Sequence, residues 1–466
     1  MNSHAKTVMH AVKGQLVHGD PSALFKGISI DSRSAMRGEL FFCIKGEKFD
    51  GHDFIHDAIS GNVSGIVFSD REKLKAARLR PDGPFAIHVA DTIRALQDLA
   101  AFHRRLFPVR VVGVTGSNGK STTKEMIAAI AATAHKTLKN KGNLNNHIGL
   151  PLSLFGLNKE HGLAVLEMGM SAAGEIRRLA EIALPEIGVI TNIFPAHLVE
   201  LKDVRSVQSA KGELFAALGR EGTAIVNADD PLVLELAGKL RSRVVTFGVD
   251  KPADVTAADI RFRKNTGFDF TVRLFDDKFP LFLPLLSYGG IYNALAAVAV
   301  GHALGIAPDN MTTGLGRSAQ LAQRGEILTH NSMTILDDSY NANPGSMQDA
   351  LDTLTRFQTD GRKFFVMGDM LELGEFSERA HIELGQKIAN CPVDYLVTVG
   401  TLAGLAGDSA RKTGMAQDRI IATENHQQAA DYLSSQAAPG DFLVFKGSRS
   451  THMEKVIETL TSSPTK

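Results

Sequence analysis

Two cysteines are all the thiols this 466-residue chain carries, and Cys43 and Cys391 stand too far apart to form a metal or redox spacing. They are expected as free thiols of a reducing compartment. Net charge is missing too. The 51 Lys and Arg balance the 51 Asp and Glu, so nothing draws the whole molecule to nucleic acid or an anionic membrane. Long apolar runs are absent: the most apolar helical stretch, 292–307, is interrupted by Asn293 and His302 and is too short to span a bilayer. The residues from Met1 to Lys6 lead into no apolar h-region, so no signal peptide is expected. No Gly-x-Gly-x-x-Gly follows any strand of the C-terminal third, which leaves a nicotinamide or flavin site without support. What remains is an ordinary globular composition, 44% hydrophobic and 22% charged. The length suits about two to four domains, and a cytoplasmic soluble enzyme is the expectation.

What is there centres on the stretch from Val111 to Thr123. A β-branched run enters a glycine-rich turn that ends in Gly119-Lys120-Ser121-Thr122 and opens a helical segment. This strand–loop–helix order is what a phosphate-cradling loop requires. Glycines let backbone N–H groups crowd phosphate oxygens, and the helix N-terminus adds partial positive charge. Lys120 is expected to reach the β- and γ-phosphates, and the Ser121 hydroxyl to ligate Mg²⁺. Gly116, Ser117, Asn118, Gly119 and Thr122 complete the expected ATP-binding set. The usual pattern wants a glycine where Val114 stands; Gly113 and Gly116 take its place. The competing reading is an ordinary strand-to-helix turn.

Along the chain, the first hundred residues read as short strands at 27–30, 39–44, 65–68 and 85–89, then a helix at 93–102. Polar loops at 31–33 and 45–52 lie at strand ends. The asparagine-rich run from Asn140 to Gly149 is either a solvated loop or a set of donors and acceptors for sugar, phosphate or peptide groups. A buried strand at 163–166 ends on Glu167, where a carboxylate completes a Mg²⁺ shell in P-loop enzymes. Another at 187–192 delivers His197, a metal ligand or a hydrogen-bonded structural histidine. Lys211 sits on a helix at 206–218 and by itself reads as solvated. Alternation across Asn265-Thr266-Gly267 predicts an antiparallel hairpin, followed by a helix at 292–304. From about residue 316 strands at 334–337, 363–367, 395–399 and 441–445 alternate with helices at 346–357, 377–388 and 426–433. That pattern predicts a parallel, doubly wound sheet. Its polar strand-end loops, 337–344, 368–370 and 446–450, are expected to face one cleft.

These stretches together resemble the Mur ligase family. The P-loop, Glu167, Thr191-Asn192 to His197, and Ala210-Lys211-Gly212-Glu213 are shared broadly by its ATP-dependent amide ligases. The runs 143–149, 337–344 and 367–375 and Lys446-Gly447-Ser448-Arg449 are most similar to members that join D-alanyl-D-alanine to UDP-N-acetylmuramoyl-tripeptide. The Asp-Asn-Pro-Arg signature of the diaminopimelate- or lysine-adding members is not in the sequence. The resemblance implies an α/β fold of three domains: a small UDP-sugar-peptide-binding domain at 1–106, a central P-loop domain with a mainly parallel sheet at 107–316, and a Rossmann-like doubly wound domain at 317–466. The last is expected to close over ATP and bind D-Ala-D-Ala, and to stand at a wide angle from the centre without ligand.

By the same resemblance Ser121 and Glu167 hold one Mg²⁺ and His197 and Lys211 a second. A lysine cation cannot ligate Mg²⁺, so Lys211 is expected to be carbamylated by CO₂. Asn293 is implied at the adenine, and Arg324 and Asp338 on the ATP. Ser32, Arg33 and the 45–52 loop are implied at the UDP-sugar, Asn145 and Asn146 at the muramoyl-peptide, and Tyr340, Asn341 and Asn343 at substrate. The family's usual Gly-x-His-Asn is replaced by Ser287-Tyr288-Gly289-Gly290, which predicts looser discrimination of the base. A monomer that forms an acyl phosphate and then an amide is the implied whole. The alternatives are a sibling ligase, muramoyl-peptide or folylpolyglutamate in type, and a P-loop NTPase that drives a switch on a partner.

Overall fold

The computed structural model describes residues 1–317 and 322–462. The chain falls into two compact units. One comprises Met1–Gly113, His135–Met170 and Gly174–Glu186; the other comprises Val114–Ala134, Ser171–Ala173 and Ile187–Lys466.

In the first unit a five-stranded sheet runs in the order Gln15–His18, Phe85–His88, Gly65–Phe68, Leu40–Phe42, Ile28–Ser29. Only the pairing of Gln15–His18 with Phe85–His88 is antiparallel. The central strands read as unbroken apolar runs because both faces are covered, and Phe41, Cys43, Ile66 and Phe68 close one core with Ile55 and Ala58. Both cysteines are free, and burial pushes the Cys43 thiol up. The expected helix is present as Thr92–Arg105, capped by Asp91. The sequence reading missed the pair Asn2–His4 with Leu24–Lys26 and the helix Ala5–Val12. These pieces are too short to hold alone; the helix is kept by packing on Thr92–Arg105. Thr137–Lys139 pairs in parallel with Leu163–Glu167 in the same unit.

In the second unit Ile187–Ile190, Thr223–Asn227 and Arg243–Gly248 run parallel. The expected hairpin follows as Val255–Arg263 and Gly267–Leu274, and a further antiparallel strand, Asp277–Leu283, extends it. Helices Gly289–Ala303 and Pro308–Gly316 pack on the P-loop helix Lys120–Ala131. The first of these begins at Gly289, three residues earlier than its apolar pattern predicts. Its N-terminus is held from elsewhere in the chain: the Asp349 carboxylate accepts the Gly289 N–H (3.1 Å) and the Ser287 hydroxyl.

The C-terminal sheet has six strands, in the order Glu326–His330, Met333–Asp338, Phe442–Lys446, Lys363–Gly368, Tyr395–Val399, Ile420–Thr423. All pairs are parallel except the first. Apolar clusters cover both faces, as a doubly wound sheet demands. The missed edge strand Glu326–His330 is half-exposed and carries no apolar run. Its signal was the two-residue turn Asn331-Ser332, both left-handed at φ 47° and 59°, as tight hairpins prefer. No helix among the described residues is long and apolar enough to cross a membrane.

Candidate active site

The loop from Gly116 to Lys120 is shaped by its neighbours. Gly116 (φ 150°) and Gly119 (φ 78°) occupy backbone regions that side chains resist. A Cβ on Gly116 would lie 1.8 Å from the Thr191 hydroxyl, and one on Gly119 would lie 2.3 Å from the Asn293 amide oxygen. The strand-end loop at 191–194 clamps the turn. Thr191 Oγ1 donates to the Asn118 carbonyl (2.6 Å), and Asn118 N–H donates to Asn192 Oδ1 (2.8 Å). Ser117 N–H donates to the Asn192 carbonyl at 2.9 Å. Asn293 accepts from Thr123 Oγ1 at 3.2 Å, so its amide lies against the loop's last turn. Thr191 and Asn192 were missing from the expected binding set, although their strand end was noted.

Two lysines converge on one carbonyl. Lys120 Nζ donates to the oxygens of Gly116 (2.9 Å) and Ser117 (3.2 Å), and Lys211 Nζ donates to the same Gly116 oxygen at 3.0 Å. Lys211 is 1% exposed, which removes the solvated reading. Burial, and after it the Lys120 charge, holds its amine well below the ordinary value. The unprotonated amine, which that burial favours, is the form that combines with CO₂.

The three C-terminal strand-end loops are laced together. Lys446, 2% exposed, donates to Asp338 Oδ2 (2.6 Å) and the Asn341 carbonyl (2.9 Å). Ser448 N–H donates to the Asp369 carbonyl at 3.0 Å, and the Leu371 N–H to Ser448 Oγ at 2.8 Å. Burial pushes the Asp338 carboxyl up, against the pull of Lys446 and Arg324. The Arg324 guanidinium stacks on the Tyr340 ring at 3.7 Å, with Arg449 farther off at 5.6 Å. Asn341 Oδ1 accepts from the Ala342 N–H. Asn343 caps the helix Pro344–Arg356 in a capping box with Ser346.

Segments expected to stand apart are in contact within the second unit. Asn343 and Asn118 pair amide to amide at 2.6 and 3.0 Å. His197 Nδ1 meets Glu372 Oε2 at 2.6 Å. Asn343 thus acts as helix cap and P-loop contact. Glu372 and Lys446 lie in stretches the sequence singled out, but neither was assigned a role, since their partners lie far off in sequence.

The first unit holds the remaining predicted residues. Glu167 is 1% exposed. Asn140 brackets its backbone, donating to the Glu167 carbonyl (3.0 Å) and accepting its N–H (3.0 Å), while Asn145 Nδ2 donates to Glu167 Oε1 at 2.7 Å. Asn145 therefore touches the carboxylate itself. Asn146 Oδ1 accepts from the N–H groups of Ile148 and Gly149 and so heads the helix Gly149–Leu154. Arg33 is forked onto Asp31 through Nε (2.9 Å) and Nη2 (2.7 Å), which lowers the Asp31 carboxyl to about 2. Ser32 lies between them in the same turn.

Among the described residues no three His, Cys, Asp or Glu side chains form a metal cage. Mg²⁺ is rarely held that way; it takes one or two protein oxygens with substrate phosphates and water. A buried serine at the head of the P-loop helix and a buried amine whose hold on a proton is weakened fit a metal that arrives with a nucleotide.

Comparison with known proteins follows the same lines. Residues 24–105 match the Mur ligase family catalytic domain, 114–301 the Mur ligase middle domain, and 323–449 the Mur ligase glutamate ligase domain. The UDP-N-acetylmuramoyl-tripeptide–D-alanyl-D-alanine ligase of Bacillus subtilis is 34% identical over 461 residues, 98% of each chain. A crystal structure of MurF from Acinetobacter baumannii superposes with a TM-score of 0.90 at 30% identity, covering 99% of each chain. MurF from Thermotoga maritima, solved in complex with ADP, gives 0.82 at 28% identity over 94% of this chain and 97% of its own.

Proposed function

The chain belongs to the Mur ligase family, and from that premise we propose that it joins D-alanyl-D-alanine to the terminal carboxylate of UDP-N-acetylmuramoyl-tripeptide. The activity is that of an ATP-dependent peptide ligase of peptidoglycan synthesis, on a three-domain α/β fold. A carboxylate is a poor acyl donor, because its leaving group would be oxide. Transfer of the γ-phosphoryl group of ATP to that carboxylate gives an acyl phosphate and ADP. The amine of D-Ala-D-Ala then attacks the acyl carbon, and phosphate leaves from the tetrahedral intermediate.

The first step brings two anions together, so positive charge must dominate the site. Lys120 supplies it at the phosphates, and the P-loop N–H groups orient them. Ser121 and Glu167 would hold one Mg²⁺; His197 and a carbamylated Lys211 would hold a second. When bound, Mg²⁺ screens the phosphate charge. Carbamylation joins the neutral Lys211 amine to CO₂ with loss of one proton and turns a would-be cation into an anionic oxygen donor. Asn293, Arg324 and Asp338 serve the nucleotide. Ser32 and Arg33 in 1–106 serve the UDP-sugar, Asn145 and Asn146 the muramoyl-peptide, and Tyr340, Asn341 and Asn343 in 317–466 the incoming dipeptide, with 107–316 as the ATP domain. The protein works as a cytoplasmic monomer.

The observation that carries this reading is the convergence of Lys120 and buried Lys211 on the Gly116 carbonyl of a P-loop. A generic NTPase has no use for a second, fully buried lysine there. The test is phosphate release with ATP, Mg²⁺ and UDP-muramoyl-tripeptide, with and without D-Ala-D-Ala. Release that requires the dipeptide is expected; release indifferent to it would overturn the ligase reading in favour of a switch NTPase.

A further inference from the structure

His197 and Glu372 face each other from segments 175 residues apart. Each is a non-glycine residue in the left-handed region, at φ 56° and 63°. Such backbone persists only where its surroundings over-determine it. Two bonds join the residues: the side-chain pair at 2.6 Å, and the Leu198 N–H to the Glu372 carbonyl at 2.8 Å. A carboxylate only accepts, so the neutral His197 ring in this contact has its proton on Nδ1 and its lone pair on Nε2. That is the tautomer a metal-ligating histidine needs, and a carboxylate behind the ring is the usual way of fixing it.

The Glu372 carboxylate is 64% exposed, but the backbone leading into it is tied down. The Met370 N–H donates to Nε2 of fully buried His381 (2.9 Å), whose Nδ1 donates to the Ser377 carbonyl (2.7 Å). The neighbouring Leu371 N–H is tied to Ser448 at 2.8 Å. The loop is therefore pinned at both residues preceding Glu372.

We infer that Glu372 is a positioning residue for His197, so that the C-terminal segment sets the tautomer and aim of the metal-ligating histidine when it docks. This rests on the reading of His197 as a metal ligand given above. It adds that the ligand set is incomplete until the segment carrying the amine substrate is in place. Phosphoryl transfer would then be tied to docking through one hydrogen bond.

The test uses the full chain with Mn²⁺ and the nonhydrolysable ATP analogue adenylyl imidodiphosphate, following bound Mn²⁺ by electron paramagnetic resonance. His197→Ala is expected to weaken one class of bound Mn²⁺. Glu372→Ala is expected to weaken that same class about 10–100-fold, the usual cost of losing such a partner. Glu372→Gln still offers a carbonyl oxygen to Nδ1–H and is expected to recover most of the affinity, which a purely structural role for the charge would not do. Thermal melting of each variant checks that it is folded. Weakening by His197→Ala with Glu372→Ala equal to the parent overturns this inference alone. A His197→Ala titration equal to the parent overturns the ligand assignment and the inference with it.

Discussion

Lys211 shows how far a single residue can depart from the habit of its type. Most helical lysines are solvated, but this one is enclosed, with the Lys120 ammonium sharing its carbonyl acceptor. Its lowered affinity for a proton has a definite sign for stability. Below the ordinary lysine value of 10.5 the unfolded chain binds a proton that folded Lys211 resists, so stability is lost as pH falls and regained as pH rises. In CO₂-free buffer Lys211→Met should therefore flatten the dependence of unfolding free energy on pH below the ordinary lysine value of 10.5, measured by urea titration. The same change should lower kcat about 10²–10³-fold, as when one charge-stabilising group is removed from an active site. Under ¹³CO₂ the parent should show a carbamate carbonyl resonance that Lys211→Met lacks, and acidification should diminish it by protonating the amine.

At the scale of elements, the P-loop and the helix Gly289–Ala303 are built against each other. Gly119 is left-handed and close to Asn293 at once, so Gly119→Ala should cost about 1–2 kcal/mol from backbone conformation alone, seen as a lower denaturation midpoint. Adding Asn293→Ala should relieve the side-chain clash without restoring the full loss, because φ stays positive. The helix start carries Gly289-Gly290, and Asp349 takes up the Gly289 N–H and the Ser287 hydroxyl. With no histidine or asparagine side chain at those two positions, comparable turnover with ATP and GTP is expected in steady-state assays. Strict ATP dependence would refute that.

At the scale of the molecule, the C-terminal segment meets the P-loop part of the second unit through polar contacts, among them Asn118 with Asn343, Ser287 with Asp349 and His197 with Glu372, and through Leu286 and Phe262, which join its apolar core. Asp349→Ala would leave the Ser287 hydroxyl and the Gly289 N–H unpaired. The loss should be about 1 kcal/mol, since both groups are only half-buried and water can replace part of the bond, and calorimetry should show it as a lower melting temperature.

Much of this was legible in the sequence. Periodicity marked the C-terminal β/α alternation, since a parallel sheet covered on both faces needs unbroken apolar strands such as Phe364 to Met367. Spacing marked the P-loop, since the chemistry of phosphate cradling is local to one turn. The edge strand Glu326–His330 and the helix Ala5–Val12 escaped because each is short and stabilised mainly by what it packs on. The roles of Glu372, Lys446, Thr191 and Asn192, which all lie in motifs already marked, stayed hidden for a related reason: each acts on a partner that sequence distance hides. Local order, P-loop chemistry and the identity of the charged groups were thus set by the sequence alone. Which lysine is buried away from solvent, which histidine nitrogen faces a carboxylate and which asparagine is a cap were decided only by tertiary structure, because burial and a partner's lone pair are properties of the folded neighbourhood.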